Sequence, residues 1–171
     1  MSLNIRKMIQ SIAEYVIYFI LFYYVRMPVH EWIHLEVLRM FGGDGYIRAT
    51  FWGAETVFTK MPSHPTCVAF AGGLGLGTIF LFLIWTDWID GDWEEVSALL
   101  PNCLSEFSYG VFEGLFIPSI GFFGAKLTQA QYIKYGTTIG VAGWTFGLIL
   151  GWHIWLSNAK WLGDEKNDRS N

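Results

Sequence analysis

The feature that most constrains the fold of this chain is a run from Thr66 to Trp85 that contains no Asp, Glu, Lys, Arg or His. It reads TCVAFAGGLGLGTIFLFLIW. A helix of about 20 apolar residues crosses the roughly 30 Å hydrocarbon layer of a bilayer. We therefore expect a membrane-spanning helix here, over residues 65–86.

Three further apolar segments predict helices in the same membrane. The segment before the uncharged run is apolar through YVIYFILFYYV and becomes more polar toward Met40. The two segments after it are preceded by capping pairs, Asp92 with Glu95 and Thr128 with Gln131. The chain is thus expected to be an all-α membrane protein with about four transmembrane helices. The predicted helices are residues 11–40, 65–86, 93–116 and 129–158.

A different structure is expected between helices one and two. Residues 46–60 are rich in aromatic and β-branched residues and have Gly53 near their middle, which predicts a short β-hairpin. We find no linker and no repeat, so residues 1–162 are expected to form a single transmembrane domain. A polar tail follows at residues 163–171. The lipid bilayer is therefore the first expected partner of the chain.

The composition excludes several classes of protein. Hydrophobic residues make up 53% of the chain and charged residues 15%, against roughly a quarter charged in an ordinary soluble domain. The net charge is −4, so nothing favours a polyanionic partner, and nucleic-acid binding is excluded. The two cysteines lie in apolar stretches, which excludes a disulfide-stapled domain.

Glycines recur at helical spacing in helices two and four. Small residues at three- and four-residue steps let helix backbones approach closely in lipid. The same faces could instead leave room for an extended substrate, or pair two copies of the chain in a homo-oligomer. The glycines concerned are Gly73 and Gly77 in helix two, and Gly136, Gly140, Gly143, Gly147 and Gly151 in helix four.

An HExxH sequence, His30-Glu31-Trp32-Ile33-His34, lies toward the end of helix one. Residues i and i+4 share one face of a helix, so both imidazoles can reach a single metal ion. Glu31 points elsewhere around the helix, where it can take a proton from a metal-bound water. A catalytic zinc keeps one position for that water and has three protein ligands. The motif therefore predicts a Zn²⁺ site with a third ligand elsewhere in the chain.

Depth in the membrane separates the candidates for the third ligand. With a rise of about 1.5 Å per residue, His30 lies about 28 Å along helix one. Glu113 lies about 30 Å along helix three, level with the histidines, whereas Glu106 lies only about 20 Å along it. Glu113 is therefore favoured, and Glu106 and His64 stay open as alternatives. The full set of candidates is Glu106, Glu113, Asn102, His64 and His153.

Two polar residues share the helix face of Glu113. Asn102 and Glu106 lie eleven and seven residues before it, so we expect them to line the same cleft. Their expected role is to hydrogen-bond the metal ligands or to hold the substrate. The other interpretation of Glu106 is a carboxyl group that burial keeps neutral.

Two stretches of the chain resemble the site-2 protease family of intramembrane zinc metallopeptidases. The first is HEWIHLEVLRMFGG, followed by a β-prone stretch and by VAFAGGLG, which opens the uncharged helix. The second is Pro101-Asn102 followed by Glu113-Gly114. It is similar to the family's signature of an Asn, a Pro and an Asp-Gly whose Asp is the third zinc ligand. The chain departs from the family where Gly73 replaces Pro and Glu113 replaces Asp, and in the longer spacing between Asn102 and Glu113.

The resemblance implies an intramembrane zinc metallopeptidase that hydrolyses peptide bonds of membrane-spanning protein substrates. His30, His34 and Glu113 would hold the zinc. Glu31 would act as general base on the bound water and then protonate the leaving amine. The resemblance also implies a multi-pass protein of a plasma or inner membrane, with its active site facing the cytoplasm.

Two other classes of function compete with this interpretation. A catalytically inactive, metallopeptidase-like membrane protein would keep the fold and act as a subunit or binding partner. Glu31→Gln would then leave the cellular function intact. A di-iron oxidase of desaturase type needs more imidazoles than the four histidines of this chain, which makes it the weakest of the three.

Overall fold

The computed structural model describes residues 5–50, 53–117, 120–123 and 127–158. Within them lie four helices, with a two-stranded antiparallel sheet between the first and the second. The predicted helices and hairpin are thereby confirmed. The helices are α1 (Ile5–Met40), α2 (Pro65–Asp90), α3 (Trp93–Phe116) and α4 (Gln129–Asn158), and the strands are β1 (Asp44–Thr50) and β2 (Gly53–Lys60).

Two helices are longer than the hydropathy pattern predicts. Helix α1 begins at Ile5 rather than near residue 11, because residues 5–10 contain no glycine or proline and are mostly good helix formers. Helix α2 continues past residue 86 to Asp90, where Gly91 ends it in the left-handed conformation with φ 75°. The predicted polar tail at 163–171 lies outside the described residues.

The four helices run alternately up and down, with α3 at the centre. Helices α2 and α3 are joined only by Gly91 and Asp92 and lie antiparallel, with Gly73 against Gly110. Helix α4 then packs antiparallel on α3 through its glycines, because Gly147, for example, has no room for a Cβ beside the α3 backbone. Most of the predicted glycine positions therefore pack against a neighbouring helix of the same chain, and Gly136 and Gly140 also line a cavity.

The apolar core has two parts. The larger lies between α2 and α3, and its buried members are Leu76, Phe80, Ile84, Val96, Leu99 and Cys103. The smaller holds the hairpin against the end of α1, where Leu38 packs with Val68, Ile47 and Phe58. This second cluster places strand β2 beside the HExxH segment.

Among the described residues, helices α1 and α4 meet at one end of the bundle. There the Trp155 indole donates a hydrogen bond to the Ser11 hydroxyl (3.0 Å), and the Phe19 and Trp144 rings are in contact. Toward the other end the helices diverge around a cavity of about 720 Å³, lined by α1, β2, α3 and α4. His30, Glu31 and His34 of the HExxH sequence line this cavity.

Three of the described helices, α1, α2 and α4, are long and apolar enough to cross a membrane. Their outward surfaces are apolar, with exposed Ile17, Phe82 and Ile149 among many others. Helix α3 is not among these three, and it is the helix that carries Glu106 and Glu113. Its polar side chains at the centre of the bundle are buried: Ser97, Asn102, Ser105, Glu106 and Glu113.

Candidate metal centre

Three buried side chains, His30 and His34 of α1 and Glu113 of α3, converge at the wall of the cavity. The two imidazole Nε2 atoms are 3.0 Å apart, and each lies 3.3 Å from Oε2 of Glu113. The group is arranged so that it could hold a metal ion. Because α1 and α3 run in the same direction, their C-terminal halves bring these residues to one level.

The Nδ1 atoms, which are the outer nitrogens of the two imidazoles, bond to groups outside the centre, and the Nε2 atoms face the centre. Nδ1 of His34 lies 2.7 Å from the Val68 carbonyl oxygen, which can only accept, so Nδ1 carries the proton. Nδ1 of His30 lies 2.6 Å from a Glu106 carboxylate oxygen in the same way. In a neutral imidazole this leaves a lone pair on each Nε2. The inner atoms are therefore acceptors that face one another.

The third atom that faces the centre, a carboxylate oxygen of Glu113, is also an acceptor. Oε2 of Glu113 is buried and has no hydrogen-bond partner among the described residues. An unpaired buried carboxylate oxygen is costly, and a cation between it and the imidazoles removes that cost. Zinc–ligand bonds of about 2.0–2.2 Å at tetrahedral angles place ligand atoms about 3.3–3.6 Å apart. The separations of 3.0, 3.3 and 3.3 Å come close to this, so the residues fit a zinc ion.

A second layer of polar contacts holds the inner residues. Glu106 accepts from His30 and lies 3.8 Å from the Arg26 guanidinium, which also donates to Ser105 at 3.3 Å. A carboxylate on the outer nitrogen of a metal-binding histidine orients the ring and raises its basicity. Glu106 therefore lies where its predicted hydrogen-bonding role requires, and Arg26 compensates its charge.

Helix α2 approaches the centre without a side chain. A Cβ at Gly72 would overlap the Nε2 atoms of both His30 and His34. Only glycine lets the α2 backbone lie this close while the Val68 carbonyl, one turn earlier, accepts from His34. Gly72 was not a predicted site residue. A signal for it was present in the sequence, because Gly72 is the first glycine of the Gly-Gly pair in the VAFAGGLG segment.

The expected general base, Glu31, lines the same cavity as His30, His34 and Glu113. Glu31 is half-buried. The Thr56 hydroxyl, on strand β2, is 2.8 Å from a Glu31 carboxylate oxygen and 3.0 Å from the Glu31 carbonyl oxygen. The hairpin therefore positions this carboxylate. Nothing in the sequence pointed to Thr56.

Two tyrosines line the cavity next to Glu113. The Tyr132 hydroxyl, in the first turn of α4, approaches Oε1 of Glu113 at 3.4 Å. The Tyr109 hydroxyl lies 3.4 Å from that of Tyr132. Neither was a predicted site residue, although Tyr109 precedes Glu113 by four residues and so shares its helix face.

Three candidates from the sequence are not brought to the centre. Asn102 does not line the cavity, because its amide donates to the Ala98 carbonyl (3.2 Å) at a depth where α3 and α4 close together. His64 is exposed, with its ring against Phe41. His153 is exposed near the far end of α4. The shared helix face of Asn102 and Glu106 therefore did not make Asn102 part of the cavity lining.

Comparisons of the chain with models of protein families, with curated proteins and with solved structures found no match. The fold and the site nevertheless define a class. In its described residues, the chain is a mostly helical protein with three helices that could span a membrane and a buried His-His-Glu group that could hold a metal ion.

Proposed function

We propose that this chain is an intramembrane zinc metallopeptidase, similar in its site to the site-2 protease family. The observation that carries the proposal is the convergence of three acceptor atoms from His30, His34 and Glu113 on a cavity that Glu31 also lines. Three protein ligands with a neighbouring carboxylate are the usual arrangement of a catalytic zinc site.

The membrane assignment rests on the outer surface of the bundle. Helix α3 has 24 residues and is about 36 Å long, enough to span the bilayer, and α2 and α4 pack on its sides. Because its central carboxylates face inward, we propose that it is the fourth crossing. Exposed Trp85, Trp88 and Trp152 gather at the end away from the site, as at a membrane interface. The protein would then be a multi-pass protein of a plasma or inner membrane.

The roles of the side chains follow from their positions. A bound zinc ion would supply a Lewis acid that polarises the peptide carbonyl and makes water more acidic. Glu31 accepts a proton from the attacking water, whose oxygen forms the new bond to the carbonyl carbon. When the C–N bond breaks, Glu31 returns that proton to the leaving amine nitrogen. Thr56 keeps the Glu31 carboxylate oriented through these transfers by donating its hydroxyl proton.

The gap between α1 and α4 supports a membrane-spanning substrate. The cavity is lined by Tyr23 and Met27 on one side and by Gly140, Val141 and Trp144 on the other. A substrate in the lipid can therefore approach from the side. A peptide bond inside a helix is shielded by its own turns, so we propose that the substrate unwinds locally to reach Glu31.

The experiment that tests this function is Glu31→Gln, with the exposed Glu36→Gln as matched control. Each variant is co-expressed with a panel of tagged single-span membrane helices, and fragments are identified by mass spectrometry. We expect the parent and Glu36→Gln to cut at least one helix. Loss of the general base should slow cutting by about 10²–10⁴-fold without loss of metal. Equal cutting by Glu31→Gln would contradict the mechanism. A cellular function that survives Glu31→Gln would favour the inactive binding partner.

A further inference from the structure

We infer that Tyr132 is a positioning residue that holds Glu113 with one carboxylate oxygen directed at the metal and the other directed away. The inference rests on the proposed metal centre. It goes beyond it by assigning to α4, which supplies no ligand, control over how the third ligand binds.

The two oxygens of Glu113 have different surroundings. Oε2 faces both imidazoles at 3.3 Å and has no hydrogen-bond partner among the described residues. Oε1 faces the Tyr132 hydroxyl at 3.4 Å, and no other hydrogen bond to Oε1 is found in the described part of the chain. One oxygen is therefore free for a cation, and the other has a protein donor.

The Tyr132 hydroxyl is held from several sides. Its side chain is buried, and its ring stacks on Phe112 with centroids 5.5 Å apart. The first turn of α4 is fixed by reciprocal hydrogen bonds between Thr128 and Gln131. The Tyr109 hydroxyl can donate to the Tyr132 oxygen, which directs the Tyr132 proton to Glu113. The donor is therefore pre-oriented.

This arrangement has a consequence for the metal. A carboxylate can bind a cation through one oxygen or through both. A hydrogen bond to Oε1 favours binding through Oε2 alone, which keeps one position on the metal open for water. Without the hydroxyl, Glu113 can turn and bind through both oxygens. Tyr132 thus acts on the metal through Glu113, without contacting it.

The test uses Co²⁺ in place of zinc, because its visible absorption weakens when the coordination number rises. The full chain is purified in detergent as the parent, Tyr132→Phe, Tyr109→Phe and Phe112→Leu, and titrated with Co²⁺ against a chelator. We expect Tyr132→Phe to bind about 10–100-fold more weakly and to show a weakened visible band. Phe112→Leu alters the packing of the ring but keeps the hydroxyl, so its band should match the parent. Tyr109→Phe should change affinity by less than Tyr132→Phe.

The outcomes separate this inference from the metal centre itself. A Tyr132→Phe protein with parental affinity and spectrum would overturn the inference and leave the metal centre standing. Equal weakening in Tyr132→Phe and Phe112→Leu, with unchanged bands, would assign the effect to ring packing and would also overturn it. A parent that binds no Co²⁺ or Zn²⁺ would overturn the proposed function and the inference together.

Discussion

The two ends of the helix bundle both carry carboxylates, but they arrange them in opposite ways. Around the turn from α2 into α3, five acidic residues occupy the nine positions 87–95, and all of them are exposed or half-buried. At the other end, Glu106 and Glu113 are buried and Glu31 is half-buried, and each has a specific partner. Acidic residues are therefore denser at the end where no candidate site lies.

The two ends differ in whether their polar side chains converge on one point. Solvated carboxylates repel one another and gain little from proximity, so they spread apart in water. At the site end, two imidazoles whose outer nitrogens are already bonded turn their lone pairs toward one carboxylate oxygen. Among the described residues, that is the one group arranged to hold a metal ion. Acidic density alone does not make a metal site.

The largest effect is expected from a substitution that stops the ligand atoms of His30, His34 and Glu113 from converging. In Gly72→Ala, the added methyl group overlaps both imidazoles, so we expect metal affinity to fall by at least about 100-fold. Gly75→Ala, on the same helix, meets only the Ile33 side chain and is the control. Chelator competition on the purified proteins measures the effect. Parental affinity in Gly72→Ala would show that α2 does not approach the imidazoles as described.

A matched pair of carboxylates compares the two ends directly. Glu106→Gln weakens the acceptor on His30, and we expect metal affinity to fall by about 10–100-fold. Glu95→Gln makes the same change at the acidic end, where less than twofold is expected. The same chelator competition measures both. Equal metal affinities of the two variants would show that the burial of Glu106 and its hydrogen bond to His30 do not matter for metal binding.

A smaller effect is expected when the proposed general base, Glu31, is perturbed and the proposed metal ligands are not. Thr56→Val removes the donor to Glu31, and a hydrogen bond to a charged group accounts for about a tenfold change in turnover. Metal content should not change, because the hydrogen bonds of the Thr56 hydroxyl go to Glu31 and not to a proposed metal ligand. Thr59→Val, at an exposed position of the same strand, is the control. Cleavage rates on one substrate helix check this, and metal loss in Thr56→Val would contradict it.

Local and periodic signals in the sequence predicted much of this fold. The spacing of His30 and His34 places them on one face, and the helix rise put Glu113 at their level. The capping box of Thr128 and Gln131 forms as predicted. Asp92 does precede α3, but its side chain makes no capping hydrogen bond, so that part of the prediction was wrong.

Contacts between distant segments could not be read from one sequence. Thr56 reaches Glu31 only because the hairpin folds back on α1 through its apolar side chains. Tyr132 reaches Glu113 only because α4 packs on α3. Asn102 shows the converse, since a shared helix face does not reveal the depth at which neighbouring helices close the cavity. The helical period predicts the direction and the depth of a side chain, but the packing of the neighbouring helices determines whether that side chain reaches the cavity.

The most direct test of the metal centre is the zinc content of the detergent-purified chain. The parent is measured beside His34→Ala and Glu113→Ala, with the exposed His64→Ala as control. We expect about one zinc per chain in the parent and in His64→Ala, and loss of zinc in the other two. A parent that holds no zinc after zinc is supplied, or a Glu113→Ala variant that keeps a full equivalent, would contradict the proposed centre.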